Sequence, residues 1–194
     1  MLFRSDTGSN LAGAVQLDGL TWSGFDGLTI GGAATLSGGA VSLNSNGGAI
    51  RFNSTLAGGN QNLTIAAGTG AGTVTFANTV SNVGTGTGAA ITIGSTGLVR
   101  FQNTVGAASG IVSTAAGGST RFDGDVTLGN GNTASNFEGA VQLDGLAWSS
   151  FDGLTVKGAA TLSGGPVSLD SNGGAILFSS TLAGGNQNLT IAAG

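Results

Sequence analysis

The sequence predicts an all-β solenoid in which coils of about 21 residues stack along one axis. A long internal repeat points that way first. Gly13–Gly68 recurs as Gly139–Gly194, offset by 126 residues, with only eight substitutions, at Thr21, Gly24, Ile30, Gly31, Ala40, Asn44, Arg51 and Asn53. Glycine supplies 39 of the 194 residues and proline only 1. Glycine at that density excludes helix, because each one costs about 1 kcal/mol relative to Ala in a helix interior. What survives is alternation in short bursts, apolar–other–apolar, each ending on a bulky residue. Such bursts are strands with one buried face.

Examples are Val15 to Leu17, Ile50 to Phe52, Val74 to Phe76, Val99 to Phe101, Thr120 to Phe122, Val141 to Leu143 and Ile176 to Phe178. The bulky residues then mark the coils: Leu17, Leu36, Phe52, Phe76, Phe101, Phe122, Leu143, Leu162 and Phe178. Their spacings are 19, 16, 24, 25, 21, 21, 19 and 16 residues. The first six fill the 126-residue unit. The 16-residue step from Leu36 fits least well. Without it the unit holds five coils of about 25 residues, so five and six both stay open.

A second strand follows in each coil, as at Leu28 to Ile30, Val41 to Leu43, Leu63 to Ile65, Ile91 to Ile93 and Leu154 to Val156. Gly/Asn clusters such as Ser37 to Gly39 and Asn46 to Gly48 separate the strands. These residues suit corners with positive φ. Stacking the coils sets Phe52, Phe76, Phe101, Phe122 and Phe178 as a buried core ladder. Eight or nine coils give a shaft near 40 Å long at about 4.8 Å per rung. The rival is an antiparallel sandwich of hairpins. Unequal coil lengths favour it, and the long near-exact repeat argues against it.

The chain reads as one solenoid segment, 1–194. Residues 13–138 form a first unit and 139–194 a partial second one. Neither Met1 to Asp6 nor Leu189 to Gly194 looks like a cap. The expected partners are therefore the rest of a longer array or further copies joined head to tail, since unpaired strand edges template another strand.

Charged residues are only 7% of the chain and the formal net charge is −4. That excludes the basic footprint of a nucleic-acid binder and attraction to an anionic membrane surface. No apolar run reaches the roughly 18 residues of a membrane-spanning helix. Cysteine is absent, so neither a disulfide nor a thiolate metal site can form.

Several runs resemble one family: Asn62 to Gly68, Gly72 to Phe76, Arg121 to Gly129 and Gly47 to Phe52. They are similar to the repeats of filamentous-haemagglutinin-like exoproteins, very long bacterial surface adhesins. The resemblance covers nearly the whole chain and lies in composition and rhythm. It implies a right-handed parallel β-helix, a structural or adhesive stalk role, and a cell-surface or secreted location in a Gram-negative bacterium. It also implies a host or neighbouring-cell glycan or protein as partner. That family's secretion domain carries an Asn-Pro-Asn type motif. Here the only proline is Pro166.

Candidate chemistry is sparse. His, Cys and Tyr are all absent, which removes nucleophilic triads that need His or Cys. A carbohydrate-active β-helix enzyme would need clustered carboxylates. Here Asp18 and Asp26 simply recur as Asp144 and Asp152, so no catalysis and no cofactor are expected. Asp123 and Asp125, with Asn130 and Asn132 nearby, could offer oxygen ligands to Ca²⁺, but the binding nonapeptide of calcium β-rolls is absent and the preferred reading is Asx turns at a corner. Arg51, Arg100 and Arg121 each precede a ladder Phe and so point outward. They form either a solvated face or a glycan-contacting strip. Asp123 follows on the same strand and can relieve the Arg100–Arg121 repulsion. Trp22 and Trp148, followed by Phe25 and Phe151, suggest buried corner packing, with sugar stacking as the other reading.

Overall fold

The computed structural model describes residues 8–68 and 72–194. The expectations placed on Met1 to Asp6 lie outside these residues. None of the described residues is helical. The chain winds as a right-handed parallel β-helix with about 22 residues per turn and three strands per coil. Face one is a nine-stranded sheet running from Ser9–Leu11 to Leu182–Ala183. Face two also has nine strands, from Val15–Asp18 to Leu189–Ala192. Face three has eight, from Thr21–Ser23 to Ile176–Phe178. All strand neighbours pair in parallel, which rules out the sandwich. The sequence pattern had supplied two strands per coil; the third completes a triangular section.

Successive turns on face one take 19, 22, 24, 25, 21, 21, 19 and 22 residues. The corners absorb the differences. Their backbone N–H groups also bond to the coil before, as in Gly31 to the Leu11 carbonyl at 2.8 Å and Asn53 to the Ile30 carbonyl at 2.9 Å. Coil-to-coil hydrogen bonding therefore continues through the bends, leaving few polar backbone groups orphaned.

Inward residues stack on their own kind. Phe52, Phe76, Phe101 and Phe122 are buried on face one, with ring centroids 5.0, 4.7 and 5.0 Å apart and planes within 9° of parallel. The rung spacing sets this geometry, because in-register strands sit about 4.8 Å apart. Leu11 and Ile30 precede the ladder on face one, and Leu143 and Leu162 follow it.

Phe178 does not belong to this ladder. It is half-buried on face three, beside Val156. The 16-residue step explains the correction. Leu36 lies on face two and Phe52 on face one, so Leu36 to Phe52 covers two-thirds of a coil. Leu162 to Phe178, from face one to face three, is the same two-thirds step. The 126-residue unit thus holds neither five coils nor six. Its seventeen strands, Val15–Asp18 through Ser135–Phe137, make five and two-thirds turns.

Each repeated strand accordingly changes face. Val15–Asp18 is on face two, while Ala140–Asp144 is on face one; Leu28–Ile30 is on face one, while Leu154–Val156 is on face three. Local geometry survives the move. Asn44 accepts from the Asn46 N–H at 2.9 Å, and Asp170 from the Asn172 N–H at 3.0 Å. Asn46 and Asn172 share a left-handed backbone, with φ of 48° and 44°. A Cβ on Gly27 would lie 2.4 Å from the Ala49 carbonyl oxygen, and one on Gly153 2.5 Å from that of Ala175. The corner glycine is needed in both copies, on whichever edge it falls.

Candidate functional site

The outward column of face one carries three of the four basic side chains among the described residues. Its residues run Asn10, Thr29, Arg51, Thr75, Arg100, Arg121, Gln142 and Thr161. Each follows an inward residue and so points to solvent, as the period of two requires. Arg51 is separated from Arg100 by Thr75, is exposed, and has no ion pair among the described residues. Arg100 and Arg121 are direct neighbours.

Two like charges side by side on a sheet repel. Asp123 resolves this by accepting from Arg100 Nε at 2.5 Å and from Arg121 Nε. Arg121 also bonds through Nη2 to Asp144. The Asp123 hydrogen bond comes first among the causes that raise the Arg121 pKa above its ordinary value. Ser163 Oγ donates to Asp144 at 2.9 Å, and Gln142 Nε2 donates to Ser163 Oγ at 2.9 Å. Six side chains thus form one network in which two arginines balance two aspartates. Such a cluster is internally satisfied and offers a ligand little unpaired charge.

Asp123 and Asp125 flank Gly124 at the corner between faces one and two. Asp125 Oδ1 accepts from the Ala147 N–H at 2.8 Å, on the next coil. The two carboxylates therefore serve different partners. Asn132 is engaged elsewhere, accepting from the Gly88 N–H at 2.8 Å. No group of three or more His, Cys, Asp or Glu that could hold a metal occurs among the described residues.

The aromatic pairs divide. Trp22 and Trp148 are buried at 8% and 2% exposure, whereas Phe25 and Phe151 stand out at 66% and 45%. The tryptophans are buried as expected, but within strands on faces three and two and not at corners, whereas the phenylalanines occupy turns between strands. Phe25 sits at the corner between faces three and one, and Phe151 at that between faces two and three. A cavity of about 500 Å³ opens at the first described coil between Leu11, Leu17, Leu20, Trp22, Leu28 and Leu43. Among the described residues it lies at the end of the inward ladders, and no charged residue lines it.

Sequence reasoning missed the Glu138–Lys157 ion pair, 2.6 Å long. The signal was available: the first copy has Ala12 and Gly31 at these two positions, so both partners change together. No helix among the described residues is long and apolar enough to cross a membrane. Scans against protein-family models, curated proteins and solved structures each return no match.

Proposed function

We propose that this segment is a shaft of a large bacterial cell-surface or secreted filamentous protein, similar to the filamentous-haemagglutinin-like exoproteins. It spaces or presents binding regions carried elsewhere in the parent protein. The observation that carries this reading is the continuous inward ladder. Each coil buries its apolar residues against the next, and Arg100 and Arg121 on face one are neutralised by Asp123 and Asp144. The fold thus spends its residues on lengthwise cohesion, which is what a shaft needs. The sparse carboxylates, duplicated between copies, support a role without catalysis.

Pulling the chain by its two ends in a single-molecule trap tests this. A shaft holds and then yields in discrete steps as coils peel off. Smooth lengthening without resistance would overturn the reading. The carbohydrate-active alternative is tested with acidic and neutral polysaccharides. Release of reducing ends or unsaturated products, lost on Asp123→Asn or Asp144→Asn, would replace the shaft with an enzyme.

A further inference from the structure

The unit length and the turn length are out of step, and we infer that this makes the 126-residue repeat a one-third-turn device. Successive copies present the same outward residues on successive faces of the shaft. A surface recognised on one unit is then met on another side in the next. The inference holds whether or not the segment serves as a stalk.

All nine strand pairs related by the repeat obey this shift, from Ser9–Leu11 with Ser135–Phe137 to Leu63–Ala66 with Leu189–Ala192. The outward residues travel with their strands. Gln16 donates to Ser37 at 3.0 Å and Ser37 to Asp18 at 3.1 Å on face two. Gln142, Ser163 and Asp144 repeat that chain on face one. Phe25 and Phe151 occupy different edges of the prism for the same reason. An array continuing this unit would return a given residue to the same face only at every third copy.

The shift has a consequence for partners. Equivalent points on successive units are separated along the axis by about 27 Å, five and two-thirds rungs of about 4.8 Å. A folded domain of about 100 residues has a radius of gyration near 13 Å, hence a diameter of roughly 34 Å. Two such partners on one face at that spacing would collide. On faces a third of a turn apart they do not. The repeat therefore leaves room for one domain-sized protein per unit, each on a different side. It suits poorly a flat partner that lies along a single face.

Disulfide trapping reads the phase directly, because the chain has no cysteine of its own. Neighbours one rung apart, with Cα atoms about 4.8 Å apart, fall within disulfide reach. Thr29→Cys with Arg51→Cys, and Thr155→Cys with Leu177→Cys, should cross-link on mild oxidation, since each pair is adjacent in register. Thr35→Cys with Arg51→Cys, and Thr161→Cys with Leu177→Cys, should stay reduced. Linking of the latter two pairs would make the 16-residue step a full coil and the unit six whole turns. That outcome overturns the inference. So does failure of both adjacent pairs to link in chains that keep their β-sheet circular dichroism. A stalk that fails in the trap but links as expected would sink the proposed function alone.

Discussion

The two copies of the repeat are nearly identical in sequence yet differ in surroundings. Trp22 has no ring partner among the described residues, and its indole lies over Gly24, where a Cβ would come within 2.7 Å of the ring. Trp148 sits edge-on to Phe122 at 5.3 Å and to Phe137 at 6.2 Å, and its neighbour is Ser150 in place of Gly24. Among the described residues Asp18 bonds to Ser37 alone, while Asp144 also holds Arg121. Two sets of changes between the copies are touching pairs. Leu11 stacks on Ile30 in the first copy; Phe137 stacks on Val156 in the second. One rung gains bulk where its neighbour loses it, as a close-packed core requires. Ala12 and Gly31 likewise become Glu138 and Lys157. The lesson is that strand and corner geometry belong to the unit itself, while rung contacts are adjusted in pairs wherever the phase places them.

The largest expected effect separates the two tryptophans. Trp148→Ala should cost about 3–5 kcal/mol in urea unfolding, with Phe101→Ala in the same range. Trp22→Ala should cost clearly less, because Trp22 borders the end cavity and has no ring partner among the described residues. Equal losses would mean that the two sites are packed alike. Next comes the Phe137–Val156 rung. Phe137→Leu alone should lose about 1–2 kcal/mol to a cavity, and Val156→Ile alone about 1 kcal/mol or more to overpacking. Together they recreate the Leu11–Ile30 pair. The double variant should recover most of the loss, with a coupling of about 0.5–3 kcal/mol. Additive losses would break the pairing.

A smaller effect falls on the charged column. Asp123→Asn removes the carboxylate between Arg100 and Arg121, leaving only Asp144 on Arg121, and should cost about 1 kcal/mol. The loss should shrink at high salt, whereas Thr29→Ala on the same column should be near neutral. The smallest effect concerns Glu138. The Lys157 ammonium holds its carboxyl below the usual glutamate value, with the Asn136 amide helping. A depressed native pKa adds stability above the ordinary value of about 4.3 and loses it as pH falls through the native one. Titration by NMR should show the midpoint rising towards the ordinary value in Lys157→Ala. An unmoved midpoint would show that the pair is not formed in solution.

Much of this was readable from residues. The Phe52 to Phe122 ladder was legible because each ring ends the same apolar–other–apolar burst on the same face. The Arg100–Asp123–Arg121 contact followed, since both arginines precede ladder rings. The phase was not legible. Bulky residues end strands on all three faces, so bulk alone cannot distinguish a full turn from two-thirds of one. Leu36 to Phe52 was therefore counted as a coil, and Phe178 inherited the place of Phe52. Asp144 was missed as an Arg121 partner because their contact depends on where the second copy joins the shaft. The exposed Phe25 and Phe151 were unreadable too. An aromatic at a tight corner has the same local sequence whether it points in or out.

Distances between paired nitroxide labels test the one-third-turn relation most directly. Thr29→Cys with Thr161→Cys places both labels on face one, six rungs or about 29 Å apart along the axis. Thr35→Cys with Thr161→Cys labels equivalent positions of the two copies, on faces two and one. The account predicts that the equivalent pair is the farther apart, despite its shorter axial separation, because its labels project from different sides. An equivalent pair near 29 Å, with the Thr29–Thr161 pair lengthened, would contradict it.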